Sequence, residues 1–247
     1  MADSPLLILV TGDPVAKTQA RVGGFANLVR TALGDGWSGG FVEVDARSEA
    51  VELPGSERFA GVIVTGSASS VTERAPWMLR VEEYLARAVE RDHAVLGICF
   101  GHQLLGQALG GLVERNPNGR EMGTVALRIV ADDPILDRSI EPALAHATHV
   151  DSVTVLPKGA QLLATTALEP HAALRFGERA WGVQFHPEFD PQVMSEYVES
   201  RKGATPPPCW PASPRPRQGA WFCAVSSSMG CLRARAALAN CVRGGWW

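Results

Sequence analysis

The stretch VLGICFGHQLLG, Val95 to Gly106, places one cysteine between two glycines inside an otherwise apolar run. Its first part, with Ala94 in front, reads as a short buried strand, and HQLLGQALGG reads as the helix that follows. Gly97-Ile98-Cys99-Phe100-Gly101 is then a strand-to-helix turn of the nucleophile-elbow kind, with Cys in place of Ser. Small flanking residues let the chain turn sharply and expose the cysteine at the carboxyl end of the strand. Helix amides beyond Cys99 favour a thiolate over a thiol there. A lone cysteine in an apolar run is ordinarily core packing, so the reading of Cys99 depends on finding it a partner.

Upstream, the same alternation recurs. LLILVTG is an apolar run closed by Gly-Asp-Pro. GFANLVRTALG carries Phe25, Leu28, Val29, Ala32 and Leu33 at helical spacing, and FVEV restarts as a strand. GVIVTGS is a further buried strand, and PWMLRVEEYLARAVERD is a helix with Pro76 near its start. Strands apolar on both faces alternating with helices imply an α/β fold, an open mixed, mostly parallel sheet with helices on both faces. After Leu112 shorter strands follow, in VALRIV, DSVTVLP, AQLLATT, AALRFG and AWGVQFH. These extend the sheet and add antiparallel hairpins. DPQVMSEYVES reads as a last helix, capped by Asp190 with Pro191 at its first position.

The partner lies in GVQFHPEF. His186 and Glu188 stand two apart at the end of an apolar strand run, and residues i and i+2 of an extended segment share a side. Both side chains can therefore face one site, a base with its orienting carboxylate. That is the arrangement Cys–His nucleophilic chemistry requires.

Composition bounds the alternatives. The chain has 247 residues, 46% of them hydrophobic, enough for a substantial core. Every one of its 26 acidic residues stands at or before Glu199, so the main body is acidic, which argues against nucleic acid as a partner. MADSPLLILV has no basic secretory n-region, and no apolar run reaches the roughly 20 residues that span a bilayer. The expectation is a cytoplasmic protein without a membrane partner. Cys209, Cys223, Cys231 and Cys241 lack the close pairing of zinc sites, so no metal is expected. The domain reading is a catalytic domain over 1–199 and a Pro-, Arg-, Cys- and Trp-rich tail over 200–247. The tail is either a disordered extension or the product of an altered reading frame or cloning scar.

GICFGHQLL and VQFHPEF, in this order, resemble the two signature segments of class I glutamine amidotransferases. VTGSASSV (64–71) is similar to that family's oxyanion strand. NPNGREMG and HVDSVTVLPKGA resemble further stretches of its stand-alone members, those like the glutamine-hydrolysing part of GMP synthetase. The likeness covers roughly residues 6–199. It implies the family's flavodoxin-like fold, with Cys99 as nucleophile, His186 as general base and acid, and Glu188 as its orienter. It also implies an oxyanion hole from the backbone N–H groups of Ser67 and Phe100, and substrate contacts at Gly66, Gln103 and His149, with Asp151 beside His149. The family usually has glycine where Ser67 stands. His102 is read as a packing group, and His93, His146 and His171 as surface residues.

The implied reaction needs no cofactor: the glutamine side-chain amide is hydrolysed through a cysteinyl thioester and ammonia is released, in most relatives to a synthase domain or subunit. The implied partners are glutamine or a γ-glutamyl small molecule and an ammonia-accepting synthase subunit. Two other readings stay open, a γ-glutamyl hydrolase or peptidase with the same three residues, and a non-catalytic binding or regulatory protein on this fold.

Overall fold

The computed structural model describes residues 4–139 and 143–201; the expected tail over 200–247 lies almost wholly outside them. In the first half, strand β1 (Leu6–Val10) is followed by helices α1 (Ala16–Val22) and α2 (Phe25–Leu33), then β2 (Phe41–Asp45) and β3 (Gly61–Val64). Helix α3 (Pro76–Glu90), strand β4 (Val95–Ile98) and helix α4 (Phe100–Ala108) complete it. The second half runs β5 (Leu112–Arg115), β6 (Glu121–Ile129), β7 (Ala143–His149), β8 (Asp151–Val155), β9 (Gln161–Thr165), β10 (Ala173–Gly177), β11 (Ala180–Val183) and helix α5 (Pro191–Ser200).

The main sheet has the order β2-β1-β3-β4-β11-β10-β9-β6-β7, and β5 pairs with β8 in a separate two-stranded ribbon. From β2 to β11 all neighbours are parallel. From β11 to β7 they alternate antiparallel. The period of two is visible in β1. Leu6, Ile8 and Val10 join Ala26, Val29 and Leu33 of α2 on one face. Leu7 and Leu9 meet Met78, Val81 and Leu85 of α3 and Leu104 and Leu105 of α4 on the other. Both faces are thus covered, as the unbroken apolar strands require.

The chain leaves β1 for β2 on one side and leaves the neighbouring β3 for β4 on the other, so the strand order reverses between β1 and β3. In such sheets the crevice at that switch, outside the carboxyl ends of the strands, is where ligands bind. The antiparallel part curls back toward the same end, because the His186 amide beyond β11 donates to the His146 carbonyl of the last strand, β7, at 2.7 Å. Helix α5 is begun as expected, the Asp190 carboxylate accepting the Val193 N–H at 2.7 Å with Pro191 in the first turn.

Three expectations need correction. The strand in AWGVQFH stops at Val183, so His186 and Glu188 sit in the loop and turn beyond it rather than on an extended segment. His146 is buried, and His93 and His171 are only part-exposed; His171 Nδ1 lies 2.6 Å from the Val153 carbonyl. Helix α1 and strands β5 and β7, absent from the sequence reading, are also present.

Candidate active site

Cys99 is the N-cap of α4, with φ 51° and ψ −101°, a backbone conformation sparsely populated by residues with a Cβ. Its amide donates to the Val183 carbonyl at 2.8 Å and its carbonyl accepts the Gln103 N–H at 3.1 Å, fixing the bend from both sides. The flanking glycines are dictated by contact. A Cβ on Gly97 would collide with the backbone of Gly101, and one on Gly101 with the Val64 carbonyl of β3. Cys99 is 6% exposed, and its Sγ stands 4.0 Å from the Thr148 carbonyl.

The His186 imidazole is enclosed on several sides. Phe189 stacks on it with ring centroids 4.0 Å apart, and Phe25 lies parallel at 6.3 Å. A Cβ on Gly66 would come within 3.0 Å of its Cε1. Nδ1 bonds Glu188 Oε1 at 2.8 Å, both side chains being almost wholly buried. The Glu188 oxygen Oε2 and His186 Nε2 are buried without a further hydrogen bond among the described residues. Burial disfavours the imidazolium, but the Glu188 carboxylate and the neighbouring Cys99 side chain outweigh it and lift the pKa of His186 to about 10.

A pocket of about 400 Å³ opens over these groups. Cys99, His186, Ser67, Phe100, Gln103 and His149 all line it. Gly66 backs the imidazole through that close approach. Gly101 N–H is taken by the Thr65 carbonyl at 3.2 Å, and Phe100 is the first residue of α4, where a backbone N–H has no partner within the helix. Ser67 is not among the residues with positive φ, so its backbone accommodates a side chain there.

Gln103 and His149 are held by the protein itself. Gln103 Nε2 donates to the Asp151 carbonyl at 2.8 Å and to Gln184 Oε1 at 2.9 Å. His149 Nδ1 faces the Asp151 carbonyl at 3.1 Å and its Nε2 faces Glu121 Oε2 at 3.2 Å, so neither ring nitrogen is free for a ligand. His102 packs against Gly182 and the Phe176 ring, and burial pushes its pKa down to about 3, which keeps it neutral. No group of three or more His, Cys, Asp or Glu residues able to hold a metal occurs among the described residues.

The sequence reading missed Arg120, Tyr197 and Arg201 on the pocket wall, and Glu121 behind His149. Arg120 and Glu121 stand in NPNGREMG, a segment noted for its likeness but given no role.

The family model for glutamine amidotransferase class-I matches residues 26–202. The chain belongs to the class I glutamine amidotransferase family. A GMP synthase (glutamine-hydrolysing) of Clostridium novyi is 38% identical over 137 residues, 55% of this chain and 25% of the synthase. The chain thus spans about a quarter of that relative's length. γ-Glutamyl peptidase 4 of Arabidopsis thaliana is 26% identical over 208 residues, 81% of this chain and 82% of the peptidase. A solved glutamine amidotransferase from Methylobacillus flagellatus superposes with a TM-score of 0.67 at 20% identity, covering 98% of this chain and 94% of its own. This amidotransferase fold is the mixed α/β sheet expected from the sequence. No helix among the described residues is long and apolar enough to cross a membrane.

Proposed function

We propose that this chain hydrolyses the side-chain amide of glutamine through a thioester on Cys99. What carries the reading is the buried Glu188–His186 hydrogen bond of 2.8 Å beside the Cys99 side chain, with Cys99 and His186 lining one pocket. The sulfur attacks the carboxamide carbon, a C–S bond forms, and the carbonyl electrons move to oxygen. The amides of Ser67 and Phe100 receive that oxyanion; one such donor is typically worth about 10²–10³ in rate. The His186 imidazolium gives its proton to nitrogen as the C–N bond breaks, and ammonia leaves. Water, deprotonated by His186, then attacks the thioester, and the C–S bond breaks to give glutamate and the free sulfur.

Glu188 keeps the imidazole in the tautomer and orientation this needs. Gln103 and His149, occupied by protein partners, shape the wall that receives the glutamyl group. The ammonia passes to a separate synthase subunit, consistent with the likeness to the glutamine-hydrolysing synthase.

A second reading, γ-glutamyl peptide hydrolysis with the same three residues, is favoured by the peptidase relative, which this chain matches over most of both lengths. Ammonia release from glutamine, measured beside amine release from γ-glutamyl dipeptides, decides between them, with Cys99→Ala as control. Activity on dipeptides alone would replace the glutaminase reading, and full activity in Cys99→Ala would remove both.

A further inference from the structure

The wall of the pocket carries charges of both signs, but only one sign is already committed. Among the acids, Asp13 accepts from Arg47 Nη1 at 2.6 Å, Glu73 accepts the Ser70 N–H at 2.9 Å, and Asp151 accepts the Ser70 hydroxyl. The two cations on the wall are Arg120, from the loop before β6, and Arg201, just past α5. Among the described residues neither forms an ion pair, and Arg120 Nε is buried without a hydrogen bond. Both side chains line the same pocket, and the Arg120 guanidinium is pushed below its ordinary pKa by burial first and by the charge of Arg201 second. Two guanidinium groups on one pocket wall without a paired acid, one of them with a buried and unbonded Nε, favour an anion within their reach.

We propose that Arg120 and Arg201 form a carboxylate-binding clamp at the pocket wall that selects substrates bearing an anionic group away from the scissile amide. The planar guanidinium fork matches a carboxylate and presents several donors to it. The carboxylate has two possible sources: the α-carboxylate of the glutamyl group, or a carboxylate on the leaving amine. The clamp rests on the hydrolytic reading of the pocket, but its binding can be measured without turnover.

The test compares Arg120→Gln, Arg201→Gln and Arg120→Lys with the parent chain on glutamine, γ-glutamylglycine and γ-glutamylglycinamide. The same three compounds are titrated by calorimetry into each variant combined with Cys99→Ala, and thermal melts verify folding. Each Gln substitution is expected to raise KM and Kd by about 10- to 100-fold, the range for a hydrogen bond to a charged group, with the effect falling on KM far more than on kcat. Arg120→Lys, which keeps the charge, should recover part of the loss. Equal losses on all three compounds identify the α-carboxylate, and a loss confined to γ-glutamylglycine identifies the leaving-group carboxylate. Unchanged KM and Kd in folded Arg120→Gln and Arg201→Gln overturn the clamp. Absence of turnover in the parent chain would instead count against the hydrolytic reading, and the calorimetric Kd values would still decide the clamp.

Discussion

Glu188 has one hydrogen-bonded oxygen, and its partner is the ring whose charge it sustains. Because His186 holds its proton up to about 10, the acid proposed for the leaving nitrogen is lost only above that pH, and hydrolysis should decline through an alkaline limb there. Glu188→Gln removes the carboxylate that opposes burial, so the limb should move to lower pH and kcat should fall by about 10²-fold or more; a kcat/KM profile against pH checks both. His186→Ala is expected to act differently, since it strands a buried carboxylate and should reduce stability by about 3–5 kcal/mol in urea unfolding. Gly66→Ala presses a methyl against His186 Cε1, a contact of 3.0 Å before relaxation. It should lower kcat while leaving the melting temperature little changed, which kinetics and a thermal melt together would show.

At the scale of elements, the turn between β4 and α4 is held by backbone against backbone, so Gly101→Ala should destabilise by about 1–3 kcal/mol through overpacking against β3, read from denaturant midpoints. This turn was legible in the sequence because spaced glycines around one polarisable residue have few other uses between a strand and a helix. His186 and Glu188 were legible as a pair but misassigned to a strand. Phe185 and Phe189 mimic a continuing strand because they are buried in the core, not because the ladder continues. Helix α1 escaped notice because it buries only Thr18 and presents no apolar stripe. Strand β7 escaped because its inward positions, Ala143, Ala145 and Ala147, are small and flank polar residues without a strand signature. Arg120 was invisible for a different reason, since a charge in a polar loop reads as solvated until the fold shows what stands beside it.

Across the whole molecule, α1 is fastened to α5 through Glu196, which accepts from Arg21 Nε at 2.8 Å and from the Thr18 hydroxyl at 2.6 Å. The Arg21 hydrogen bond, helped by Thr18, holds the Glu196 carboxyl well below its ordinary value of 4.5, at about 2. The stability it contributes is present above 4.5 and is lost as pH falls through about 2. Urea midpoints measured across that window should drop in the parent chain and flatten in Arg21→Gln.

The proposed nucleophile and base are also joined by bonds that take no part in the proposed chemistry. Cys99 N–H is bonded to Val183, Gln103 to Gln184, and His186 N–H to His146. Isotope exchange at the Cys99 and His186 amides should accordingly proceed through one cooperative opening, with a single free energy under increasing denaturant. Under such an opening the proposed site would be either whole or absent, leaving no partially melted species with the Cys99 sulfur exposed to stray oxidants.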